Sequence, residues 1–519
     1  MTANHRQALR YVGPRSNSFA PDHPDNLNRI SPATIEINFR ERRMASDTAQ
    51  KLSLFALTGM VVGSMVGSGI FSLPRTFGNA TGPFGAMIAW TIAAGGMYTL
   101  ARVFQMLAER KPDIDAGVYA YAKAGFGDYP GFLSALGYWI GSCIGNVSYW
   151  VLIKSTLGAF FPVFGDGNTV MAIVVASIGI WLFHFMILRG VQQATFINTV
   201  VTIAKIVPIL VFILILFFLF KFDLFRANFW GGEGMPDKSL FDQVRATMLV
   251  TVFVFLGIEG ASVYSRYAKT RADVGTATIL GFLGVTCLMV LVTMLPYAIL
   301  PRAEIADMRQ PSMAAVLEAA VGHWGAVFVS VGLLVSVLGA YLAWSLICAE
   351  VLSAAGRTKD MPAVFGTENQ NKVPAAALWL TNIVVQLFVI STYWSTDAFT
   401  LMLNLTSVMS LIPFFLVSAY ALKLVRRGET YDTRPSERTR DRVFATIAVI
   451  YTLFLIYAAG MKFLLLSAIL YGPGTVLYFW ARREQKKSMF TPIEWIIFIA
   501  AAIGCAVGIH GLATGYITI

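Results

Sequence analysis

The sequence predicts an all-α polytopic membrane protein, and two features support this fold class. Of the 519 residues, 56% are hydrophobic and only 13% are charged, and the mean hydropathy is +0.64. Soluble domains carry about twice that share of charged residues. In addition, apolar runs of about 20 residues recur along most of the chain, and each is long enough for a helix to cross about 30 Å of hydrocarbon.

The apolar runs predict about 12–13 transmembrane helices joined by short loops. Only Gly460 separates the eleventh run from the twelfth, so the count depends on whether that pair is one helix or two. The predicted spans are 52–74, 84–108, 130–160, 170–188, 195–221, 243–265, 276–300, 322–352, 375–393, 398–422, 443–460, 462–481 and 492–514.

The polar N-terminal segment and the distribution of Lys and Arg among the loops predict a topology. Residues 1–50 are polar, lack helical periodicity and are expected to form a disordered cytoplasmic tail. Met44 is an alternative start codon, so whether residues 1–43 are translated is left open. The formal net charge is +11. Because Lys and Arg concentrate in the tail and the even-numbered loops, this charge reflects the positive-inside rule and a cytoplasmic N-terminus, so no nucleic-acid partner is expected.

No pattern typical of an enzyme or a metal site is present in the sequence. The four cysteines lie in predicted spans, so neither a disulfide framework nor a metal cluster is expected. Nothing matches a phosphate-binding loop or a nucleophile elbow. We therefore expect no catalytic residues and no cofactor.

Two predicted spans contain glycines where a helix should continue. The first span reads GMVVGSMVGSGIFSLP over 59–74, and the sixth reads VFVFLGIEGAS over 252–262. One glycine-rich span alone would favour close helix packing. Two such spans five helices apart are typical of transporters built from inverted five-helix repeats, in which unwound backbone lines a cavity. We expect the breaks to expose backbone groups to a polar ligand near the bilayer midplane.

Six segments carry a resemblance to a known superfamily. They are GSMVGSGIF (63–71), DAGVYAYAKAGFG (115–127), YWIGSCIGN (138–146), NTVVTIAKIVP (198–208), FLGIEGAS (255–262) and AWSLICAEVLSAAGRTKDMP (343–362). Together they resemble the amino acid–polyamine–organocation superfamily, specifically its basic amino acid/polyamine antiporters of the arginine–ornithine type. The resemblance runs from about Leu52 to the end of the chain.

The resemblance implies the LeuT-type fold, in which the first and sixth of ten core helices are broken and two five-helix repeats are inverted. The core would occupy 51–422, followed by a cytoplasmic basic loop over 423–442 and peripheral membrane helices over 443–519. A transporter with this fold works by alternating access.

The resemblance also assigns the backbone groups of a bound amino acid to the two breaks. The hydroxyl of Ser68, with the N–H groups of Ser68 and Gly69, would hold the carboxylate, and Gly67 would allow the backbone to approach it closely. Carbonyls near Ser64–Met65 and Phe255–Leu256 would accept the α-ammonium.

Further residues would contact the side chain of the substrate. Trp344 matches an aromatic residue that lines this end of the pocket, where a ring face can hold an ammonium or guanidinium group. Asn146 is a candidate hydrogen-bond partner for the cationic end, and Tyr138 could close one side. The stretch Thr406–Ser410, Ser407 in particular, could add a hydroxyl. Phe253 stands where arginine–agmatine exchangers have a Trp gate, which leaves the gate and the exact substrate open.

Two ionisable residues lie well inside predicted core spans, and such residues are functional candidates by default. Protonation of Glu259 would be coupled to binding of a cation, although Glu259 could instead be a structural partner of a buried base such as Lys205. In sodium-independent relatives a lysine matching Lys205 takes the space of a sodium ion between the first and eighth helices. Lys154, His184 and His323 fall near span ends and are interpreted as interfacial.

The resemblance implies a secondary transporter in a bacterial inner membrane that exchanges cationic amino acids of the arginine, ornithine or lysine type. A proton-coupled amino acid permease using Glu259 or Lys205 is the alternative. A channel would need a continuous polar lining, which the spans lack. The expected partners are the small-molecule substrate, which is a cationic amino acid or its amine, and membrane lipid, and a homodimer is left open.

Overall fold

The computed structural model describes residues 53–114, 118–190, 195–235, 237–259, 271–432 and 434–518. The tail predicted over 1–50 lies outside the described residues, as do Gly260 to Ser262 of the sixth predicted span. Within the described ranges the chain folds into α-helices and short 3-10 turns. This confirms the all-helical prediction.

The helices follow one another in the order of the predicted spans. They are α1 (Leu54–Met65), α2 (Leu73–Ala80), α3 (Pro83–Arg110), α4 (Val118–Phe126), α5 (Asp128–Phe160), α6 (Val170–Leu188), α7 (Thr195–Phe218), α8 (Phe222–Asn228), α9 (Leu240–Phe255), α10 (Arg271–Met294), α11 (Arg302–Asp307), α12 (Ser312–Val321), α13 (His323–Arg357), α14 (Ala375–Ser391), α15 (Ala398–Arg427), α16 (Glu437–Glu484) and α17 (Pro492–Ala513).

By length and composition, eight of the described helices can each cross a membrane, and α1 with the stretch Gly69–Ala80 makes a ninth candidate as a bent pair. The chain is therefore a multi-pass membrane protein. The helix α16 changes direction at Gly460, where φ is 72° and ψ is 165°. Glycine adopts this left-handed backbone readily, and the break confirms the predicted boundary between spans eleven and twelve.

The helix α5 lies at the centre of the bundle and packs against α4, α13, α14 and α15. Almost every residue between Tyr129 and Thr156 is buried, whereas α6, α7 and α17 expose large apolar side chains such as Ile178, Phe217 and Ile496. Apolar surface of this kind suits a lipid environment. The functional site is therefore to be sought along α5.

Ionic contacts join helices at their ends. Arg110, at the end of α3, contacts Glu437 at 2.6 Å and Asp441 at 3.1 Å, both in α16. Its guanidinium also lies over the ring of Tyr431, 3.7 Å from the centroid. At the other end of the core, Arg75 of α2 pairs with Asp397 before α15 at 3.1 Å.

Two residues interpreted as interfacial are buried instead. Lys154 of α5 is 1% exposed and its Nζ donates to the hydroxyl of Thr392 at 2.7 Å. The ring of His184 in α6 is buried against Asn382 of α14, with 3.0 Å between His Nδ1 and Asn Nδ2. The interfacial interpretation of both is wrong, because α14 covers these span ends. The side chain of His323 is 70% exposed, beside Glu318.

Candidate functional site

The first predicted helix breaks where its glycines indicate. The helix α1 ends at Met65, and helical structure resumes with a 3-10 turn over Gly69–Ser72 that continues into α2 at an angle of 47° to α1. The N–H of Val66 still bonds to the carbonyl of Val62 at 2.9 Å. The carbonyls that follow lose their helical N–H partners, as at any helix end.

The sixth predicted span breaks as well. The helix α9 ends at Phe255, and residues 256–259 form a turn in which Gly257 has a φ of +105°. Glu259 is held inside this turn. Its Oε2 accepts from the N–H of Gly257 at 3.0 Å, and its Oε1 accepts from the hydroxyl of Tyr138 at 2.7 Å.

The two breaks are in direct contact. The hydroxyl of Ser64 donates to the carbonyl of Gly257 at 3.2 Å. A Cβ added to Gly257 would lie 2.4 Å from the carbonyl oxygen of Ser64, and one added to Gly69 would lie 2.6 Å from Cγ1 of Val254. Only glycine allows this approach at both positions, which explains why each break carries one.

Lys205 of α7 reaches the first break from the side. Its side chain is buried, and Nζ donates to the carbonyl oxygen of Gly63 at 3.1 Å. In an unbroken helix that oxygen would accept from the N–H of Gly67, but α1 ends before that residue. The ammonium therefore satisfies a carbonyl that the break exposes.

A cavity of about 520 Å³, its opening included, lies between the breaks and α5. Glu259 is the one acidic residue among the described lining residues, which include no basic residue. The lining residues are Ser64, Met65, Gly67, Ser68, Gly69, Tyr138, Ser142, Gly145, Tyr149, Phe253, Val254, Leu256, Glu259, Trp344, Thr406 and Ser410.

The structure brings ten of the twelve predicted substrate-binding residues to this cavity. These are Ser64, Met65, Gly67, Ser68, Gly69, Tyr138, Phe253, Leu256, Glu259 and Trp344.

Asn146 and Ser407 are not among the lining residues. The side-chain amide nitrogen of Asn146 lies 3.6 Å from Sγ of Cys348, on the face of α5 that packs against α13. The hydroxyl of Ser407 donates to the carbonyl of Leu249 at 2.7 Å and therefore ties α15 to α9.

On α5, three lining residues were not predicted from the sequence: Ser142, Gly145 and Tyr149. On α5 the lining residues Tyr138, Ser142, Gly145 and Tyr149 follow the spacing i, i+4, i+7 and i+11, which is one face of a helix. Asn146 is one residue beyond this face, a rotation of about 100°. Helical periodicity counted from Tyr138 could have found the stripe.

The same displacement occurs on α15. Thr406 and Ser410, at i and i+4, line the cavity, and Ser407 lies one residue further round the helix. Val254 was also missed, beside the predicted Phe253.

The arrangement provides for opposite charges in one ligand. The helical stretch that begins at Gly69 presents its N-terminal N–H groups, and the positive end of its dipole, to the cavity. Glu259 offers a carboxylate on the other break. Among the described residues no group of three or more His, Cys, Asp or Glu side chains could hold a metal ion. A zwitterion with an additional cationic group fits this lining.

One family model and several known proteins are similar to this chain. The family model for "Amino acid permease" matches residues 52–464. The "Arginine/ornithine antiporter" of Pseudomonas aeruginosa is 52% identical over 482 residues, which are 92% of this chain and 100% of that protein. The "L-lysine transport protein" of Corynebacterium glutamicum is 38% identical, covering 92% and 98%. The "Arginine/agmatine antiporter" of Chlamydia abortus is also 38% identical, covering 88% and 96%. The chain therefore belongs to the amino acid permease family of the amino acid–polyamine–organocation superfamily.

Proposed function

We propose that this permease exchanges cationic amino acids of the arginine, ornithine and lysine type across the bacterial inner membrane by alternating access. The observation that carries the proposal is the contact of two broken helices around a cavity with a single carboxylate, Glu259. The relatives named as arginine/ornithine antiporter and L-lysine transport protein support this substrate class. As a permease, the protein moves its substrate without making or breaking a covalent bond.

The substrate carboxylate would bind at the first break, to the hydroxyl of Ser68 and the N–H groups of Ser68 and Gly69, with Gly67 leaving room for it. The carbonyls of Ser64, Met65 and Leu256 would accept the α-ammonium. A helix end leaves such carbonyls without N–H partners, and the ammonium of the substrate can donate to them instead.

The cationic side chain would lie between Trp344 and Glu259, both in the cavity lining. A desolvated cation over a Trp face contributes about 2 kcal/mol. Tyr138 would position Glu259 through its 2.7 Å hydrogen bond, and Phe253 would gate the pocket beside Gly69. Lys205 would hold the first break at Gly63, where its ammonium would take the place of a coupling sodium ion.

Exchange requires the loaded protein to reorient faster than the empty one. Reorientation with a charged Glu259 would be slow, because moving a carboxylate at membrane depth is costly. A bound cation would compensate that charge. We further propose a cytoplasmic N-terminus from the positive-inside bias. The homodimer and the domain boundaries at 423 and 443 stay predictions.

Uptake into liposomes tests the exchange. Labelled arginine is supplied to vesicles that contain the purified protein and are loaded with ornithine, with lysine, with the neutral arginine analogue citrulline, or with nothing. We expect ornithine and lysine to stimulate uptake several-fold over the citrulline-loaded and unloaded vesicles. Equal uptake into all four would contradict cationic exchange.

A proton-coupled permease is the second candidate, with Glu259, which lines the cavity, or Lys205, which contacts the first break, as the group that could carry a proton. Vesicles without internal substrate and with an acidic exterior distinguish the two. Accumulation of arginine driven by the pH gradient alone would favour the permease, and its absence would favour exchange.

A further inference from the structure

Tyr149 of α5 faces the first break from across the cavity. Its side chain is 7% exposed, and it belongs to the cavity lining. A Cβ added to Gly67 would lie 3.5 Å from the Tyr149 hydroxyl oxygen, so this oxygen is next to the unwound backbone. Sequence analysis gave this residue no role.

The hydroxyl of Tyr149 has no hydrogen-bond partner within the described part of the chain. The group lines the cavity, where a ligand can pair with it in place of solvent. The neighbouring hydroxyls on this side belong to Ser68 and Ser148, whose Oγ atoms are 3.4 Å apart. A ligand that accepts hydrogen bonds would satisfy the group.

The position of Tyr149 along α5 separates it from the acid. Tyr138, which holds Glu259, lies 11 residues earlier on the same face of the helix, and a rise of 1.5 Å per residue places the two backbone positions about 16 Å apart. Glu259 is the only carboxylate among the described lining residues. On α5, Tyr149 therefore lies at the other end of the lining stripe from the tyrosine that holds the acid.

We propose that Tyr149 donates a hydrogen bond to the carboxylate of the substrate and thereby selects amino acids over the amines that result from their decarboxylation. This inference rests on the proposed function and specifies one end of the same site. An amine such as agmatine or putrescine has no acceptor for the phenol hydroxyl or for the N–H groups of the first break. Binding it would leave these donors unpaired, and a site built to hydrogen-bond a group rejects an analogue that lacks it.

Competition in proteoliposomes tests the proposal. Uptake of labelled arginine into ornithine-loaded vesicles is inhibited with unlabelled arginine, ornithine, agmatine or putrescine, for the wild type, Tyr149→Phe and Tyr129→Phe. Tyr129 is the matched control, because it is buried on the same helix, its hydroxyl pairs with Thr475 at 3.1 Å, and it does not line the cavity.

We expect wild-type protein to prefer each amino acid over its amine. Tyr149→Phe should raise the inhibition constants of arginine and ornithine about 10-fold, as for loss of a hydrogen bond to a charged group, and should change those of the amines less than about twofold. Tyr129→Phe should match the wild type. The ratio of amine to amino acid affinity is the readout that a general loss of structure would not move.

Three results would overturn the proposal. One is equal competition by arginine and agmatine in the wild type, which requires no variant to fold. Another is a Tyr149→Phe protein that still exchanges but whose affinities for amines and amino acids fall equally, or do not fall at all. Cationic exchange would then stand without a role for Tyr149. The third is absence of any exchange by the wild type, which removes the proposed function together with this inference.

Discussion

The contact between the two breaks makes Gly257 the most informative residue to change. The substitution Gly257→Ala places a methyl group 2.4 Å from the carbonyl oxygen of Ser64, at a backbone φ of +105°. Alanine in the left-handed region costs about 1–2 kcal/mol, and relieving such a close approach by shifting the backbone costs about 1–3 kcal/mol. The strain is therefore about 2–5 kcal/mol, and it falls on the junction between the breaks.

We expect Gly257→Ala to lower the rate of arginine–ornithine exchange at least about 10-fold, because relief of the strain separates the backbone segments that hold the substrate. The assay is counterflow in proteoliposomes with equal amounts of folded protein, checked by gel filtration. Gly284→Ala is the matched control: Gly284 lies within α10, and an added Cβ meets nothing within 4 Å. A Gly257→Ala protein that exchanges at the wild-type rate would refute the reasoning.

Three further changes test other contacts. Glu259→Gln should raise the KM for arginine about 10-fold or more and flatten the pH dependence of exchange, since a charge-assisted contact contributes about 1.5–3 kcal/mol; an unchanged KM and pH profile would remove Glu259 from the mechanism. Lys205→Ala leaves the Gly63 carbonyl unpaired and should reduce the maximal rate of exchange. Wild-type uptake should be the same in sodium and choline buffers, and sodium dependence of the wild type would contradict the role of Lys205. Arg110→Ala removes one of the two arginines that pair with Asp441, the other being Arg440, and should destabilise the protein by about 1.5–3 kcal/mol, seen as a lower melting temperature in detergent; an unchanged melting temperature would show that the cluster is not stabilising.

The helices and the two breaks could be predicted from the sequence because both depend on local composition. A run of about 20 apolar residues must be a helix in lipid, and the glycines at 67, 69 and 257, in spans five helices apart, indicated where two helices stop. Gly460 was predictable for the same reason. These features need no knowledge of which helix packs against which.

The rotation of α5 and α15 was not predictable in this way. Both helices are buried on nearly all sides, so their hydropathy marks no single face, and choosing Asn146 or Ser407 instead of the residue beside it changes the direction by about 100°. The burial of Lys154 likewise depends on Thr392, which follows α14 and lies 238 residues away in the chain. Such contacts follow from tertiary packing.

The residue types at the two breaks and along the lining face of α5 are explained by different requirements. Gly257 is required by the close approach of the Ser64 backbone, and Gly69 by the side chains of Val254 and Phe253, which an added Cβ would meet. Tyr138 and Tyr149 are three helical turns apart and place one hydroxyl near the acid and one near the exposed N–H groups. The cavity therefore has two chemically distinct ends held by a single rigid helix.

A cryo-electron microscopy structure of the full chain with arginine bound tests the central claim most directly. We expect the carboxylate of arginine within about 3 Å of the Ser68 and Gly69 N–H groups, with the guanidinium group between Trp344 and Glu259. Arginine bound away from both breaks, or a helix that continues from Met65 through Gly69 without interruption, would contradict it.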